Sequence, residues 1–481
     1  MGSLTNGAYS GSLLSKRFFH VDHKARTSNG PGMNMQDAGS RDNQQKRAKA
    51  NNEEDYEGDL INKLPDGIPV AILSKLPINE AARTSILSRK WRYLWTFFCG
   101  TLEFDGSPIM KDMKKDIKKA AGRQLQTAME IMYDAERQTY ATWINELLSS
   151  LKSSTLQGLK FWFHVGTGCD VDKWIHFAIQ KKVQKLELYF GHTFEYVLPL
   201  HLFKLESFNS LHVLRLKSIT VTEEMLEYLL CCCPLLKTLS LVNSGVPKTM
   251  KVSGPSLKLK CLELVRCWEL IKLEIFAENL MSFKYYGSHL DTEFKSVPCL
   301  VEATFGGSFV EFTRESFLPQ IKVLKLDITQ NEPQVLFRLS QLPKLKNLKH
   351  LELVACVDDG ITLACALLLK ATHSLWRFTL KMLNTKPSFR TERKFTMESR
   401  CNLKELELVG FCGAACEVEL VMYILENAAE LQKIIIDTRL PTKPKLRPLG
   451  EQCKTWDHEE NRKRARGLQE KIPPWIEFVC I

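Results

Sequence analysis

The segment LHVLRLKSITVTEEMLEYLLCCCPLLKTLSLV, residues 211–242, sets leucines at Leu211, Leu214 and Leu216 and again at Leu236, Leu239 and Leu241. In the spacing L-x-x-L-x-L the last two leucines alternate with other residues, and successive side chains on an extended strand point to opposite faces. Each triplet therefore predicts a short strand with one face buried. Thr222–Leu230, between the two triplets, reads as a helix.

On both sides of this segment the spacing returns, with other apolar residues sometimes standing in for leucine. Its copies begin at Leu156, Val183, Leu211, Leu236, Leu259, Leu270, Leu280, Leu300, Ile321, Leu348, Leu375, Leu403 and Leu431. Successive starts lie 27, 28, 25, 23, 11, 10, 20, 21, 27, 27, 28 and 28 residues apart. Most of these steps fall in the range of about 20–29 residues that defines leucine-rich repeats. The two short steps together make one repeat of 21, so the copy at Leu270 or the one at Leu280 is expected to be spurious or to sit in an irregular turn. One strand cannot bury its apolar side alone, but stacked repeats share a continuous core. Helices such as Val171–Lys181 and Thr222–Leu230 are expected between the strands.

The chain has 481 residues, 44% hydrophobic and 25% charged, enough for two or three ordinary domains or for one long array with a smaller attachment. Lys and Arg number 66 against 55 Asp and Glu, a net charge of +11 that is mild over this length. Fifteen cysteines with no apolar leader behind Met1 read as reduced thiols. An intracellular place, nucleus and/or cytosol, is expected. The longest apolar run, Ile361–Leu369, is about half the ~20 residues that cross a bilayer, so no transmembrane helix and no membrane partner are predicted. MGSLTN has Asn6 where a myristoylation signal needs Ser or Thr.

Residues 1–58 are polar and aperiodic and read as a disordered tail, in which Lys46, Arg47 and Lys49 form a short basic group. At Asp59 the composition changes. Three short helices are predicted over 59–97: one carrying Ile68, Ile72, Leu73 and Leu76 and stopped by Pro77, one capped by Asn79, and one capped by Ser88 with Trp91, Leu94 and Trp95 on a face. So small a unit cannot bury that many large apolar side chains by itself. Residues 98–155 read as a lysine-rich linker and a capping helix with Trp143, Ile144, Leu147, Leu148 and Leu151 on one side. Residues 156–388 hold the repeats, and 389–481 hold further repeats and a terminal cap ending in the strand-like run Trp475–Ile481.

The usual nucleotide, hydrolase and zincin signatures are missing, so no catalytic, cofactor or metal residues are assigned. Cys231, Cys232 and Cys233 are adjacent in sequence and cannot all aim at one ion, and Cys412 and Cys416 lack a second pair, so packing is the reading for all five. Cys267 and Cys356 each follow the first leucine of a repeat by eight positions, where this repeat type places Asn or Cys inside the turn. Between the second and third apolar positions, residues should project outward, and there Glu187, Arg215, Glu263, Lys325, Glu352 and Glu407 form a candidate face for a protein ligand. Its mixed sign argues against a phosphate track, so nucleic acid is not the expected partner and the positive excess is assigned to linkers and tails.

Asp59–Trp95 resembles an F-box. The residues that carry the likeness are Leu64-Pro65, Ile68, Ile72-Leu73, Leu76-Pro77, Ala82, Thr84-Ser85, Leu87-Ser88-Arg89, Trp91-Arg92 and Leu94-Trp95. Cys401–Asp437 is similar to the FBD-type end region, so from about residue 59 onward the chain resembles the plant F-box/leucine-rich-repeat proteins. The resemblance implies an α/β fold in which a short three-helix F-box precedes an irregular leucine-rich-repeat solenoid. It also implies a non-catalytic receptor. The F-box would dock on a Skp-type adaptor, which joins cullin and RING subunits, while the repeats hold an unknown protein substrate for ubiquitin transfer. Carried onto this sequence, the adaptor-facing residues are Leu64, Pro65, Ile68, Ile72, Leu76, Pro77, Leu87, Trp91 and Leu94. Two other readings stay open: a non-degradative F-box/repeat scaffold, and a nucleic-acid-associated regulator using Lys111–Arg123 and the tails. Pro69 departs from the family pattern, and proline inside a helix costs about 3 kcal/mol unless it lies in the first turn.

Overall fold

The computed structural model describes residues 64–106, 123–162, 169–191, 196–205, 208–254, 257–307, 316–329, 335–356, 360–372, 374–383, 401–441 and 458–481. The expected tail with its basic group, and the linker lysines of 111–122, lie outside these residues. The chain divides into two compact units, 1–159 and 160–481.

In the first unit, helix α1 (Gly67–Leu73) begins two residues before Pro69. The first helical bond with a four-residue reach is donated by Val70 to Asp66 at 3.2 Å, so Pro69 sits where an N–H has no helical acceptor in any case. The proline is therefore tolerated although the helix starts ahead of it. Pro77, rather than Asn79, occupies the cap position of α2 (Ile78–Arg83). Ser88 does cap: its Oγ accepts from the Trp91 N–H at 3.3 Å at the start of α3 (Trp91–Leu94). Leu73, Ile78, Ala81, Trp91, Leu94 and Phe98 are buried together as the small core of these helices. Gly100 lets the outgoing chain pass close to α1, since a Cβ there would stand 2.1 Å from the Ser74 carbonyl oxygen. A strand, Thr101–Asp105, and a long helix, Arg123–Ser150, complete the unit. On the face expected of that helix, Ile144, Leu147, Leu148 and Leu151 are buried, and Trp143 stacks on Tyr140 with ring centroids 5.4 Å apart.

Gly158–Trp162 is a strand at the junction of the two units. The second unit is a parallel β-ladder. From Lys185–Tyr189 through Val213–Lys217, Thr238–Val242, Cys261–Val265, Ser282–Gly287, Glu302–Gly307, Val323–Asp327, His350–Cys356, Arg377–Leu383, Glu405–Val409 and Lys433–Asp437 to Glu477–Cys480, every neighbouring pair runs parallel. Equivalent positions stay in register, as Leu186 opposite Leu214, then Leu239, then Leu262. The second and third apolar positions are almost wholly excluded from solvent. Within the final run, Glu477–Cys480 is the last strand of the ladder, paired with Lys433–Asp437.

One expectation fails. Neither the Leu270 nor the Leu280 copy is spurious: Ser282–Gly287 joins the main ladder, and Lys272–Phe276 is the middle strand of a second parallel sheet with Thr249–Val252 and Asp291–Ser296. Here the repeats carry strands where helices were expected. Length explains the exchange. A ten-residue helix and a five-residue strand each span roughly 15 Å, so the repeats of 20–23 residues from Leu236 to Leu300 cross the back of the array extended, where those of 25–28 coil. Phe283 of the main ladder meets Phe294 of the second sheet edge-on at 5.2 Å, and Met250, Leu273 and Ile275 fill the space between.

The longer repeats carry helices, among them Cys169–Gln180, Glu223–Cys232, Ile361–Ala371 and Ala415–Asn427. Thr222 caps the second by accepting the Met225 N–H at 3.3 Å. Cys267 and Cys356 act inside the turns: each thiol donates to a main-chain oxygen of the previous repeat, Leu241 and Thr329 respectively. Two residues past the third apolar position the backbone turns left-handed, at Ser218, Asn243 and Arg266 and, with φ of 85°, at Gly307 and Gly410.

Candidate functional site

Two surfaces are candidates, one in each unit. In the first, helices of four to seven residues are too short to bury a full apolar stripe, and large side chains are left in solvent. Ile68 is 46% exposed, Ile72 48%, Leu76 38% and Leu87 66%. Pro65 and Pro77 are exposed as well, and Leu64 is half-buried. The remaining two of the nine expected docking residues, Trp91 and Leu94, point the other way, into the core. Sequence reasoning also passed over Ile86, which at 83% is the most exposed of these side chains, together with Tyr93 and Phe97. Lys90 fastens α3 to the entering chain, donating to the Leu64 carbonyl at 2.7 Å and pairing with Asp66 at 3.1 Å. Leu76 and Pro77 border a cavity of about 520 Å³ with Tyr140 and Trp143 on its wall.

In the second unit, strand register sets the six expected outward residues in one row across the ladder. The row neutralises itself. Glu187 is held by Lys185 and Arg215, both at 3.0 Å, and by the Tyr189 hydroxyl at 2.9 Å, and is buried instead of exposed. Glu263 accepts from Ser240 at 2.8 Å and Lys284 at 2.6 Å. Lys325 pairs with Glu302 at 2.7 Å, Lys381 with Glu352, and Arg377 with Glu407 at 2.8 Å. Burial pushes the Glu187 and Glu263 carboxyls up, but the hydrogen bonds and positive charge around them outweigh it and hold both below the ordinary glutamate value. Such a face offers shape and pairs that can be exchanged, not a field of one sign.

Neither surface assembles a nucleophile with a base. Among the described residues no group of three His, Cys, Asp or Glu could hold a metal ion. Burial pushes the Cys233 and Cys267 thiols up to about 12, which keeps them protonated and inert at neutral pH. Cys412 has a structural setting. Its N–H and those of Gly413 and Ala414 donate to the buried Glu417 carboxylate at 2.9, 2.8 and 3.2 Å, closing the start of the helix Ala415–Asn427. No helix among the described residues is long and apolar enough to cross a membrane.

Comparison with known proteins agrees with this architecture. A family model described as the LRR domain of At1g61320/AtMIF1 matches residues 201–476, more than half of the chain. A putative F-box protein of Arabidopsis thaliana, At3g58860, is 27% identical over 430 residues, covering 80% of this chain and 90% of that relative. The FBD-associated F-box protein At5g56370 is 26% identical, covering 78% and 74%, and the F-box/FBD/LRR-repeat protein At2g04230 is 25% identical, covering 81% and 91%, both from the same plant. With its ladder of leucine-rich repeats, its FBD-like features and these relatives, the chain belongs to the plant F-box/leucine-rich-repeat proteins, with a repeat domain of the At1g61320/AtMIF1 type.

Proposed function

We propose that the chain is the substrate-recognition subunit of an SCF-type ubiquitin ligase and performs no chemistry itself. The observation that carries this reading is the set of apolar side chains that α1 and the turn after α2 leave in solvent, ahead of a repeat array broad enough to hold a protein. Residues 59–97 act as the F-box: Leu64, Pro65, Ile68, Ile72, Leu76, Pro77 and Leu87 meet the Skp-type adaptor, while Trp91 and Leu94 support them from beneath. Residues 98–155 connect and cap, and 156–388 with 389–481 hold the substrate. The adaptor brings in cullin and RING subunits. Catalysis then comes from proximity, which raises the effective concentration of substrate lysines at a conjugating enzyme supplied by others. The protein works inside the cell, in nucleus and/or cytosol.

Co-purification of the full-length chain with a Skp-type adaptor tests the docking step. Ile72→Asp with Leu87→Asp is expected to abolish capture while leaving the melting temperature unchanged, since both side chains are in solvent. Undiminished capture would show that this face is not the dock. A reconstituted ligase in which the captured partner gains no ubiquitin would favour the non-degradative scaffold.

A further inference from the structure

The residue just after the first apolar position of each repeat lies at one rim of the main ladder, where the strands begin. A chain of backbone bonds joins these rim positions: Lys260 N–H donates to Lys237 at 2.8 Å, Met281 to Lys260 at 2.8 Å, Val301 to Met281 at 3.0 Å, Lys322 to Val301 at 2.9 Å and Lys349 to Lys322 at 2.8 Å. It continues with Trp376 to Lys349 at 2.9 Å and Lys404 to Trp376 at 3.0 Å. Five lysines therefore share one row, separated in sequence by whole repeats and from Lys237 to Lys404 unbroken by any acid. Lys404 is half-buried and the others are exposed.

Their partners distinguish these lysines from those on the face. Lys284, Lys325 and Lys381 each hold a glutamate, but among the described residues none of the five rim lysines makes an ion pair. The nearest face carboxylates, Glu302 and Glu405, are engaged by Lys325 and Arg377. In the loop positions leading into the row, Glu278 and Glu430 are outnumbered by Lys181, Lys182, Lys258 and Lys346. Part of the positive excess thus sits on the folded array, not only in linkers and tails.

We propose that this rim binds an extended acidic segment of a partner protein. Spacing selects a peptide over a uniform polyanion. Lys237 and Lys260 stand one strand apart, as do Lys322 and Lys349, and between the pairs come the exposed Met281 and the half-buried Val301. Three strand steps of about 4.8 Å separate Lys260 from Lys322, the reach of roughly four extended residues. Trp376, half in solvent, then precedes Lys404. The row fits a strand with an acidic pair, a short apolar stretch, a second acidic pair and an aromatic or apolar residue. A nucleic-acid backbone carries charge at every step and gains nothing from the apolar breaks. This deepens the proposed role by giving the chemistry of what the repeats hold, and it rests on that role only for the outcome of binding.

The probe is the labelled peptide Glu-Glu-Leu-Val-Leu-Glu-Glu-Phe-Glu, titrated with the full-length chain by fluorescence anisotropy over a salt series. Binding that weakens steeply with salt is expected, with loss of about tenfold or more in Lys260→Glu/Lys322→Glu/Lys349→Glu and less than about twofold in the off-rim control Lys370→Glu/Lys463→Glu. Met281→Ser with Trp376→Ala is expected to weaken the peptide several-fold while leaving a single-stranded oligonucleotide unaffected. If the triple variant melts early, the Lys→Gln set replaces it. Equal affinity in wild type and rim variant overturns the proposal, as does an oligonucleotide that binds more tightly than the peptide and is itself lost in the rim variant. Adaptor capture, read in parallel, is expected to be unchanged in every rim variant, so loss of peptide binding and failure of the docking proposal remain separable.

Discussion

Repeats before Leu236 and after Leu259 solve one problem in two ways. From Leu211 to Leu236 the back of the repeat is the helix Glu223–Cys232, whereas from Leu259 to Leu280, a step of 21, it is the strand Lys272–Phe276. The front strand is the same length in both, five residues in Val213–Lys217 and in Cys261–Val265. Front geometry is thus independent of what backs it. A repeat that has lost several residues keeps its place in the ladder by extending its return, and the second sheet inherits register from the first, with Leu273 standing between Met250 and Thr292.

This contrast can be broken most strongly in the core. Leu229→Ala in the helix-backed repeat and Leu273→Ala in the strand-backed one each empty a site with no solvent exposure and are expected to cost about 2–5 kcal/mol in urea unfolding. A loss below about 1 kcal/mol at Leu273 alone would make the second sheet an ornament on the array. Next in size is Glu417→Ala, which strands three main-chain donors at the start of a helix and is expected to cost about 1–3 kcal/mol. The strand-backed repeats have no such helix start to close.

Thr222→Ala removes a helix cap and is expected to cost about 1 kcal/mol, read as a shift in the urea midpoint. The smallest effect concerns pH. Glu187 and Glu263 are held below their ordinary value of 4.5 in the folded chain, so their stabilisation is present above 4.5 and disappears as pH falls through the folded values. Urea midpoints in wild type should drop on acidification in this window, and Glu187→Gln with Glu263→Gln should flatten that slope.

The front ladder was legible because each L-x-x-L-x-L triplet reports strand, face and register at once, and stacking makes a single misreading inconsistent with its neighbours. The second sheet was not. Thr249–Val252 is four residues long and Asp291–Ser296 buries one phenylalanine, so neither leaves a periodic trace, and the Leu270 copy looked surplus beside Leu280. In the first unit the facing of the helices was not legible: with a single turn in α3, three-four spacing cannot say whether Trp91 or Tyr93 meets solvent. Alternation pointed Glu187 outward but could not show that its neighbours Lys185, Tyr189 and Arg215 cover it and leave it buried. Successive rim lysines are 23–62 residues apart along the chain, Lys237 to Lys260 being the shortest step and Lys260 to Lys322 the longest, and only the folded ladder places them in one row.

Between Thr249 and Ser296 the array is laced by main-chain hydrogen bonds along its front and its back alike. Elsewhere, among the described residues, helices such as Cys169–Gln180, Glu223–Cys232, Ile361–Ala371 and Ala415–Asn427 stand behind the front, and helices pack on one another through side chains that can slide by fractions of an ångström. The middle of the array is therefore a splint. Any bending that accommodates a partner must be taken up in the helix-backed repeats on either side of it, so two compliant arms work against one stiff segment.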